Sequence, residues 1–237
     1  MNLIFDVDGT LTPAREPIDK YFKMELELLA PSHNIYLATG SDYSKTVEQL
    51  GQDFIESCVV YSFNCSGNSI WREGKEVYRN DWVLPSELEI WLNEKLHESN
   101  FHIRTGTHIE SRPGMVNFTV LGRNATFEER AAYVHYDTKY NERNLLAEEF
   151  NSLFSSSYDV TAQVAGRTGF DIYPKGKDKS QVLKYFANVP VVFFGDDTQL
   201  GGNDYSLAQA ITNRNLEGDA VYPVTTPFDT RFKLSIL

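Results

Sequence analysis

The sequence predicts an α/β protein that has a doubly wound, mainly parallel sheet and an inserted α+β domain. Its first third alternates short apolar runs with helical segments, and its middle third changes to strand-like pieces with a few helices. The last third returns to the first pattern, and residues 189–194 form an uninterrupted apolar run that is typical of a strand buried on both faces. We therefore predict a core of residues 1–74 and 177–237 and a cap domain at residues 75–176.

The first third predicts a βαβαβ arrangement. Its three strand-like runs are residues 3–7, 35–39 and 58–63. Pro17 opens the first intervening helix, and Val47 and Leu50 share the inward face of the second. Strands that alternate with helices favour a parallel sheet with right-handed crossovers.

The middle third predicts a smaller sheet that is covered by helices. Two capping-box patterns, Ser86 with Glu89 and Thr126 with Glu129, predict helix starts. Turn residues separate five strand-like pieces at 101–105, 108–112, 115–121, 160–165 and 169–173. A meander of strands with helices indicates an α+β insert and not a continuation of the parallel sheet.

Charge and composition narrow the class of partner. The formal net charge of −11 argues against a nucleic-acid backbone or an anionic membrane, because both are negatively charged. No stretch approaches the ~20 apolar residues that span a bilayer. The first residues lack a secretion signal, and Cys58 and Cys65 lack the spacing of a zinc site. We expect a cytoplasmic protein that acts on a small molecule.

Carboxylates are concentrated where the predicted strands end. Asp6 and Asp8 close the first strand, and Asp196 and Asp197 follow the apolar run of the last third. Because ligands of open parallel sheets bind beyond the carboxyl ends of the strands, Asp6, Asp8 and Asp196 are expected to converge. Clustered carboxylates repel one another, and Mg²⁺ commonly binds one or two of them together with a substrate phosphate. The pattern predicts a magnesium-assisted phosphoryl transfer to an aspartate.

Four segments of the chain, in order, resemble the motifs of the haloacid dehalogenase superfamily. They are residues 5–12, residues 39–42, Lys179, and residues 195–197 with 203–204. A lone Asp-x-Asp is common on protein surfaces, whereas four motifs that each lie at a predicted strand end or helix start are not. The chain is identified as a member of that superfamily with a type IIB cap.

The finer resemblance covers nearly the full length and is to the eukaryotic-type phosphomannomutases. Residues 104–115, RTGTHIESRPGM, resemble the substrate segment of that family. The segments 10–15, 40–42 with 48–51, 121–123, 128–130, 170–176 and 201–204 are also similar in order and spacing. The chain departs from the family at Gly169, Asp197 and Ser66, where a serine, a lysine and an asparagine are usual, and it lacks the aspartate expected near Ala208. The last difference removes support for a second, structural cation.

The resemblance implies the chemistry of the core. Asp6 would take up the phosphoryl group, Asp8 would transfer protons, and Lys179 would neutralise phosphate charge. Asp6, the backbone carbonyl of Asp8, and Asp196 would hold Mg²⁺. The resemblance also implies hexose 1,6-bisphosphate as the activator, a homodimer formed through the caps, and a place in mannose metabolism that supplies GDP-mannose.

The remaining expected site positions would bind the substrate. They are Arg15, Gly40, Ser41, Arg112, Arg123, Arg130, Gly169 and Asp171. A hexose bisphosphate carries a second phosphate that the metal site cannot hold, and the planar fork of arginine suits such an anion. Asp171 would accept hydrogen bonds from sugar hydroxyls, as the resemblance implies. A plainer alternative pairs the three cap arginines with the surface residues Glu128, Glu129 and Glu142.

Three functions remain open from the sequence. The first is a mutase that interconverts mannose 6-phosphate and mannose 1-phosphate, with the glucose phosphates as a second pair. The second is a phosphatase that acts on a sugar or nucleotide monophosphate, in which water takes the place of the sugar hydroxyl. The third, a silent binding protein, is disfavoured because every residue that the chemistry requires is present.

Overall fold

The computed structural model describes residues 1–237 and divides into two compact units. The core unit comprises Met1–Asn80 and Gly176–Leu237, and the inserted unit comprises Asp81–Lys175. Each unit has a sheet of its own and an apolar core of its own. None of the helices combines the length and the apolarity that crossing a membrane requires.

Eleven strands and eight α-helices make up the two units. In chain order the strands are β1 (Asn2–Phe5), β2 (Asn34–Ala38), β3 (Val59–Asn64), β4 (Ser69–Arg72), β5 (Lys75–Arg79), β6 (Ile109–Arg112), β7 (Met115–Phe118), β8 (Val160–Ala165), β9 (Gly169–Pro174), β10 (Val191–Gly195) and β11 (Ala220–Pro223). The helices are α1 (Lys20–Leu29), α2 (Tyr43–Leu50), α3 (Gln52–Cys58), α4 (Ser86–Glu98), α5 (Phe127–Tyr140), α6 (Glu142–Tyr158), α7 (Tyr205–Arg214) and α8 (Pro227–Leu234). Two 3₁₀ helices, Cys65–Gly67 and Lys179–Phe186, lie in the core unit.

The core sheet has seven strands in the order β11-β10-β1-β2-β3-β4-β5. The five strands from β11 to β3 are parallel, and β4 and β5 add an antiparallel hairpin. The sequence did not predict this hairpin, and its turn contains residue 74, where the predicted core segment ended. A mainly parallel sheet beside a separate antiparallel sheet confirms the predicted fold class.

Side chains of the central strands cover both faces of the core sheet. Leu3 and Phe5 of β1 lie in one apolar cluster, and Ile4 lies in the other. The same alternation holds in β10, where Phe194 and Phe193 occupy opposite clusters. Because both faces are buried, the buried residues of these strands form uninterrupted apolar runs, which is the pattern that the sequence showed.

The inserted unit has four antiparallel strands in the order β6-β7-β9-β8 and the helices α4, α5 and α6. Side chains of the sheet and helices share one core that includes Trp91, Tyr133, Phe150 and Phe170. Thr126 forms the predicted capping box, since its hydroxyl accepts the Glu129 N–H and the Glu129 carboxylate accepts the Thr126 N–H.

Two local predictions for the inserted unit are wrong. The capping box predicted at Ser86 does not form, because Pro85 is the N-cap and the Ser86 hydroxyl donates to Glu87 instead. Residues 101–105 form no strand. Two of their carbonyl groups, Phe101 O and Ile103 O, accept the Arg104 guanidinium, so a side chain occupies acceptors that a strand would present to a neighbouring strand.

Candidate active site

The loop that follows β1 is folded tightly on itself. The Val7 carbonyl accepts the N–H groups of Leu11 at 2.9 Å and Thr12 at 3.0 Å, and the Gly9 N–H donates to Thr12 O at 2.7 Å. Gly9 has a φ of +82°, and a Cβ atom there would lie 2.2 Å from Oδ2 of Asp196. Glycine is therefore required both by the left-handed backbone and by the approach of the Asp196 carboxylate.

Three carboxylates meet at the carboxyl end of the central strands. Ligand oxygens of Asp6, Asp196 and Asp204 lie within 4.8 Å of one another. The Lys179 ammonium, at the start of the second 3₁₀ helix, donates to Asp6 Oδ1 at 2.8 Å and also to Asp204 Oδ1. The side chains of Lys179 and Asp204 have no solvent exposure, so this is a buried ionic network.

Burial and mutual repulsion shift the titration of these groups. Burial raises the pKa of Asp6 well above its usual range, and the neighbouring Asp204 and Asp196 add to the rise while Lys179 opposes it. Burial, followed by repulsion from Asp204, also raises the pKa of Asp196, whose carboxyl is enclosed on one side by Gly9. Burial alone would lower the pKa of Lys179, but attraction to Asp204 and Asp6 holds it above its ordinary value.

The donor set fits a divalent cation. Carboxylate oxygens are the ligands that Mg²⁺ prefers, and two or more of these carboxylates can share one ion. Lys179 supplies one positive charge to three carboxylates, so the cluster retains a negative charge that a cation would balance. This acidic cluster at the end of β1 can hold a metal and present an aspartate oxygen to a phosphate.

Asp8 lies apart from this cluster and has its own set of donors. Its Oδ1 accepts the backbone N–H of Arg15 at 2.7 Å and the Gln49 amide at 2.8 Å. Its Oδ2 lies 3.4 Å from the Ser41 hydroxyl. The side chain of Asp8 is therefore bonded to its own loop and to α2, and it is not among the three carboxylates whose oxygens lie within 4.8 Å of one another.

Gly40 and Ser41 connect β2 to α2. The Ser41 N–H donates to Thr39 Oγ1 at 3.1 Å, so this amide is already engaged, whereas the hydroxyl faces Asp8. Asp42 caps α2 by accepting the Lys45 N–H at 2.8 Å. The predicted second motif is thus a strand end, a short turn and a helix start, as the sequence indicated.

The inserted unit carries a second polar cluster on β6, β7 and β9. Glu110 bridges two of the predicted arginines, since its Oε2 accepts the Arg112 guanidinium and lies 3.2 Å from Arg123 Nε. Arg123 donates to Asn117 Oδ1 at 3.4 Å, and the Asn117 amide donates to Asp171 Oδ1 at 2.7 Å. Burial raises the pKa of Asp171, and Arg112 opposes the rise. Two arginines and an aspartate are therefore joined in one network.

Arg130 and Gly169 flank this network. The Arg130 guanidinium donates to the Arg123 carbonyl at 2.8 Å and to Ala125 O at 3.2 Å, and burial lowers its pKa. A Cβ atom on Gly169 would lie 2.5 Å from Phe118 O and close to the Asn117 amide. The absence of a side chain at position 169 therefore suits the tight contact between β7 and β9.

The plainer alternative paired the cap arginines with glutamates, and the glutamate that bonds Arg112 and Arg123 is Glu110. Glu129 belongs to the capping box, and Glu142 accepts the hydroxyl groups of Tyr133 and Ser99. Glu110, which the sequence analysis left unassigned, is the partner of Arg112 and Arg123.

Four residues that bond the expected site residues, or one another, were not predicted as site residues: Gln49, Glu110, Asn117 and Asp204. Asp204 stood in the fourth motif with Asp196 and Asp197, and Gln49 and Glu110 stood in segments that resemble the family, so each of the three had a usable signal. Asn117 had none, because its role arises from the pairing of β7 with β9.

Comparisons with known proteins agree on one family. The family model described as eukaryotic phosphomannomutase matches residues 22–237. The chain is 35% identical over 214 residues to the phosphomannomutase of Saccharomyces cerevisiae, which covers 86% of this chain and 84% of that protein. It is 33% identical over 241 residues to the phosphomannomutase of Arabidopsis thaliana, which covers 99% of this chain and 95% of that protein.

Solved structures share the fold at low sequence identity. The C-terminal domain of Candida albicans trehalose-6-phosphate phosphatase has a TM-score of 0.69 at 16% identity and covers 99% of this chain and 90% of its own. A haloacid dehalogenase-like hydrolase from Bacteroides thetaiotaomicron has a TM-score of 0.60 at 14% identity and covers 100% of this chain and 99% of its own. Together with the four motifs at the ends of β1, β2 and β10 and at the start of the Lys179 helix, these findings show that the chain belongs to the eukaryotic phosphomannomutase family.

Proposed function

We propose that this chain is a phosphohexomutase that interconverts mannose 6-phosphate and mannose 1-phosphate through an aspartyl phosphate and a hexose 1,6-bisphosphate. The observation that carries the proposal is the acidic cluster of Asp6, Asp196 and Asp204 around Lys179, at a strand end in a member of this family. A buried ammonium beside the proposed nucleophile suits a site that must receive a negatively charged phosphoryl group.

In the proposed reaction the Asp6 carboxylate attacks the phosphorus of the bisphosphate, and the bond from phosphorus to the sugar oxygen breaks. Asp8 gives its proton to that leaving oxygen, which completes the sugar monophosphate. In the second half-reaction the free hydroxyl of a bound monophosphate attacks the aspartyl phosphate, loses its proton to Asp8, and restores the Asp6 carboxylate. The bisphosphate formed in this way turns over in the site, so that its other phosphate is the one next transferred to Asp6. Lys179 neutralises charge on the transferred group throughout.

We propose that Asp6, the backbone carbonyl of Asp8, and Asp196 hold Mg²⁺. A bound magnesium ion would offset the repulsion between the aspartate and the phosphate and stabilise charge during transfer. Gly40 and Ser41 are proposed to bind phosphate oxygens, with the Ser41 hydroxyl as the donor, since its N–H is already bonded to Thr39. Arg15 is proposed to contact the sugar phosphate.

The inserted unit is proposed to bind the phosphate that does not react. Arg112 and Arg123 are held side by side on Glu110, and their two permanently charged guanidinium groups are of the kind that binds phosphate. Arg130 holds the backbone carbonyl of Arg123 and is proposed to fix that residue in place. Asp171, and the backbone at Gly169, are proposed to meet the sugar hydroxyl groups.

Two further parts of the proposal concern the protein as a whole. We propose that it acts in the cytoplasm in the supply of GDP-mannose, and that it forms a homodimer through the inserted unit, both on the strength of the family resemblance. Analytical ultracentrifugation at micromolar concentration tests the second part, with a dimer mass of twice 27.0 kDa expected and a monomer as the result that contradicts it.

One assay tests the activity. Purified protein is incubated with mannose 1-phosphate, Mg²⁺ and a trace of hexose 1,6-bisphosphate, and mannose 6-phosphate and free phosphate are both measured. Mannose 6-phosphate as the main product, dependent on the bisphosphate and lost in EDTA, supports the mutase. Free phosphate as the main product supports the phosphatase alternative. The same assay with glucose 1-phosphate gives the preferred hexose.

A variant of the arginine cluster separates mutase from phosphatase in a second way. Arg123→Gln is expected to raise the bisphosphate concentration needed for half-maximal activity about 10- to 100-fold, because a charge-assisted hydrogen bond contributes about 1.5–3 kcal/mol. Arg167→Gln is the matched control, since Arg167 is exposed in the turn between β8 and β9. Equal effects of the two variants would contradict a role for the cluster in binding the second phosphate.

A further inference from the structure

The carboxylate of Asp8 has two oxygens in unequal surroundings. Oδ1 accepts two short bonds from N–H donors, one from the Arg15 backbone at 2.7 Å and one from the Gln49 amide at 2.8 Å. Oδ2 has a 3.4 Å contact with the Ser41 hydroxyl. Because Oδ1 is occupied by donors, a proton carried by this carboxyl group belongs on Oδ2.

Gln49 is buried on α2, with 2% of its surface exposed, and its amide orientation is fixed by its partners. Nε2 donates to Asp8 Oδ1 at 2.8 Å and to Thr12 Oγ1 at 3.0 Å. The reverse orientation would place the amide oxygen against the Asp8 carboxylate, which has no hydrogen to give when ionised. The amide group therefore serves as a donor to Asp8 and is itself held by the loop that carries Asp8.

This orientation leaves a buried acceptor without a partner. The Oε1 atom of Gln49 is buried and makes no hydrogen bond. A buried unpaired acceptor costs folding free energy, so packing alone would favour an apolar side chain of similar size at this position. An apolar residue at position 49 could not donate a hydrogen bond to Asp8, whereas the Gln49 amide does.

We propose that Gln49 is a positioning residue that fixes the Asp8 carboxyl group with Oδ2 as the oxygen that carries the proton. The inference rests on the proposed function in its use of Asp8 as the acid and base. As the bond from phosphorus to the sugar oxygen breaks and the bond to Asp6 forms, the proton passes from Asp8 Oδ2 to the sugar oxygen. In the reverse half-reaction the attacking hydroxyl returns a proton to the same oxygen. Without the Gln49 amide the carboxyl group rotates, and either oxygen faces the substrate.

The test compares two phosphoryl donors that differ in their need for a proton. A sugar alkoxide leaves only with protonation, whereas p-nitrophenolate leaves without it. In Gln49→Met we expect kcat with mannose 1-phosphate to fall about 10- to 100-fold while KM stays within about twofold, since general acid catalysis contributes typically 10²–10⁴-fold. The first-turnover release of p-nitrophenolate from p-nitrophenyl phosphate, which precedes any attack by water on the aspartyl phosphate, should change by less than about threefold. Equal losses with both donors, or no loss with the sugar, overturn the proposal.

Two further variants sharpen the result. Gln52→Met makes the same chemical change at an exposed glutamine that bonds Glu56 on α3, and it should leave both rates unchanged. Asp8→Asn combined with Gln49→Met should be no slower than Asp8→Asn alone, because Gln49 acts through Asp8. If Gln49→Met fails to fold, Gln49→Asn, which shortens the side chain by one methylene group, takes its place with the same expected selectivity.

Failure of the proposed function can be told apart from failure of this inference. If the wild-type protein releases free phosphate from mannose 1-phosphate and makes no mannose 6-phosphate, the mutase proposal is wrong. The role of Gln49 is then still decided by comparing how much Gln49→Met slows the reaction of mannose 1-phosphate with how much it slows that of p-nitrophenyl phosphate. A wild-type protein that is inert toward both donors overturns the two proposals together.

Discussion

The buried ammonium of Lys179 allows a sharp prediction for the stability of the core unit. In Lys179→Met the side-chain volume is nearly conserved, but Asp6 and Asp204 lose the cation that bonds both of them. At an effective dielectric constant of about 20, unit charges at the 2.8 Å distance between Lys179 and Asp6 attract by roughly 6 kcal/mol. The cost of dehydrating the ammonium offsets part of this attraction, and removing one partner of a buried ion pair typically destabilises a protein by about 3–5 kcal/mol.

Urea unfolding at pH 7.5 in EDTA measures this loss, with Lys184→Met as the matched control. Lys184 is exposed on the same 3₁₀ helix, so its replacement should change the unfolding free energy by less than about 0.5 kcal/mol. Adding Mg²⁺ should stabilise Lys179→Met more than it stabilises the wild type, because the ion then replaces a missing positive charge.

The loss of unfolding free energy in Lys179→Met should also become smaller as the pH falls. Burial already raises the pKa of Asp6, and loss of Lys179 removes the group that opposes the rise. A carboxyl group whose folded pKa lies above its unfolded value favours folding when it is protonated, so the variant recovers stability as the pH falls from neutral toward the ordinary aspartate range. If Lys179→Met loses less than about 1 kcal/mol of unfolding free energy at pH 7.5, or if the loss grows on acidification, Lys179 does not stabilise the acidic cluster in this way.

Three other replacements have expected outcomes. Asp6→Asn should abolish mutase turnover and leave the circular dichroism spectrum unchanged, because Lys179 keeps Asp204 as a partner; substantial residual turnover would exclude Asp6 as the nucleophile. Gly9→Ala should destabilise the protein by about 1–3 kcal/mol, since its Cβ atom would lie 2.2 Å from the Asp196 carboxylate. The same variant should be stabilised less by Mg²⁺ in a thermal melt. Wild-type stability would show that Gly9 is not required for the close approach of Asp196. Thr126→Ala should cost about 1 kcal/mol in urea unfolding, whereas Ser86→Ala should cost less than about 0.5 kcal/mol, and equal losses would contradict the cap assignment.

Most of the core unit could be predicted from the sequence because burial determines the composition of its central strands. Strands β1, β2 and β10 are buried on both faces, so they appear as continuous apolar runs that end at polar motifs. The hairpin of β4 and β5 was missed for the opposite reason. Its second strand is mostly exposed and carries Lys75, Glu76 and Arg79, a composition that does not distinguish an edge strand from a loop.

Two of the three carboxylates that could hold a metal were predicted from the sequence, but the network of the inserted unit was not. Asp6 and Asp196 stand at strand ends, where topology alone brings them together. The contact between Asn117 and Asp171 depends on the register of β7 against β9, in which these two residues lie opposite each other. Register is set by pairing between segments 54 positions apart, and no local pattern in the sequence reports it.

The order of the strands in the core sheet has a consequence for synthesis of the protein. Strand β1 is made first, but one of its two neighbours, β10, is made near the end, and the ammonium that bonds Asp6 follows it by 173 positions. A ribosome that stops anywhere within the inserted unit therefore releases a chain in which β1 has an open edge and the nucleophile has no cationic neighbour. Such a fragment is inert and prone to pair with other chains along that edge. The β1–β10 pairing and the Asp6–Lys179 bond can therefore form only when translation is nearly complete.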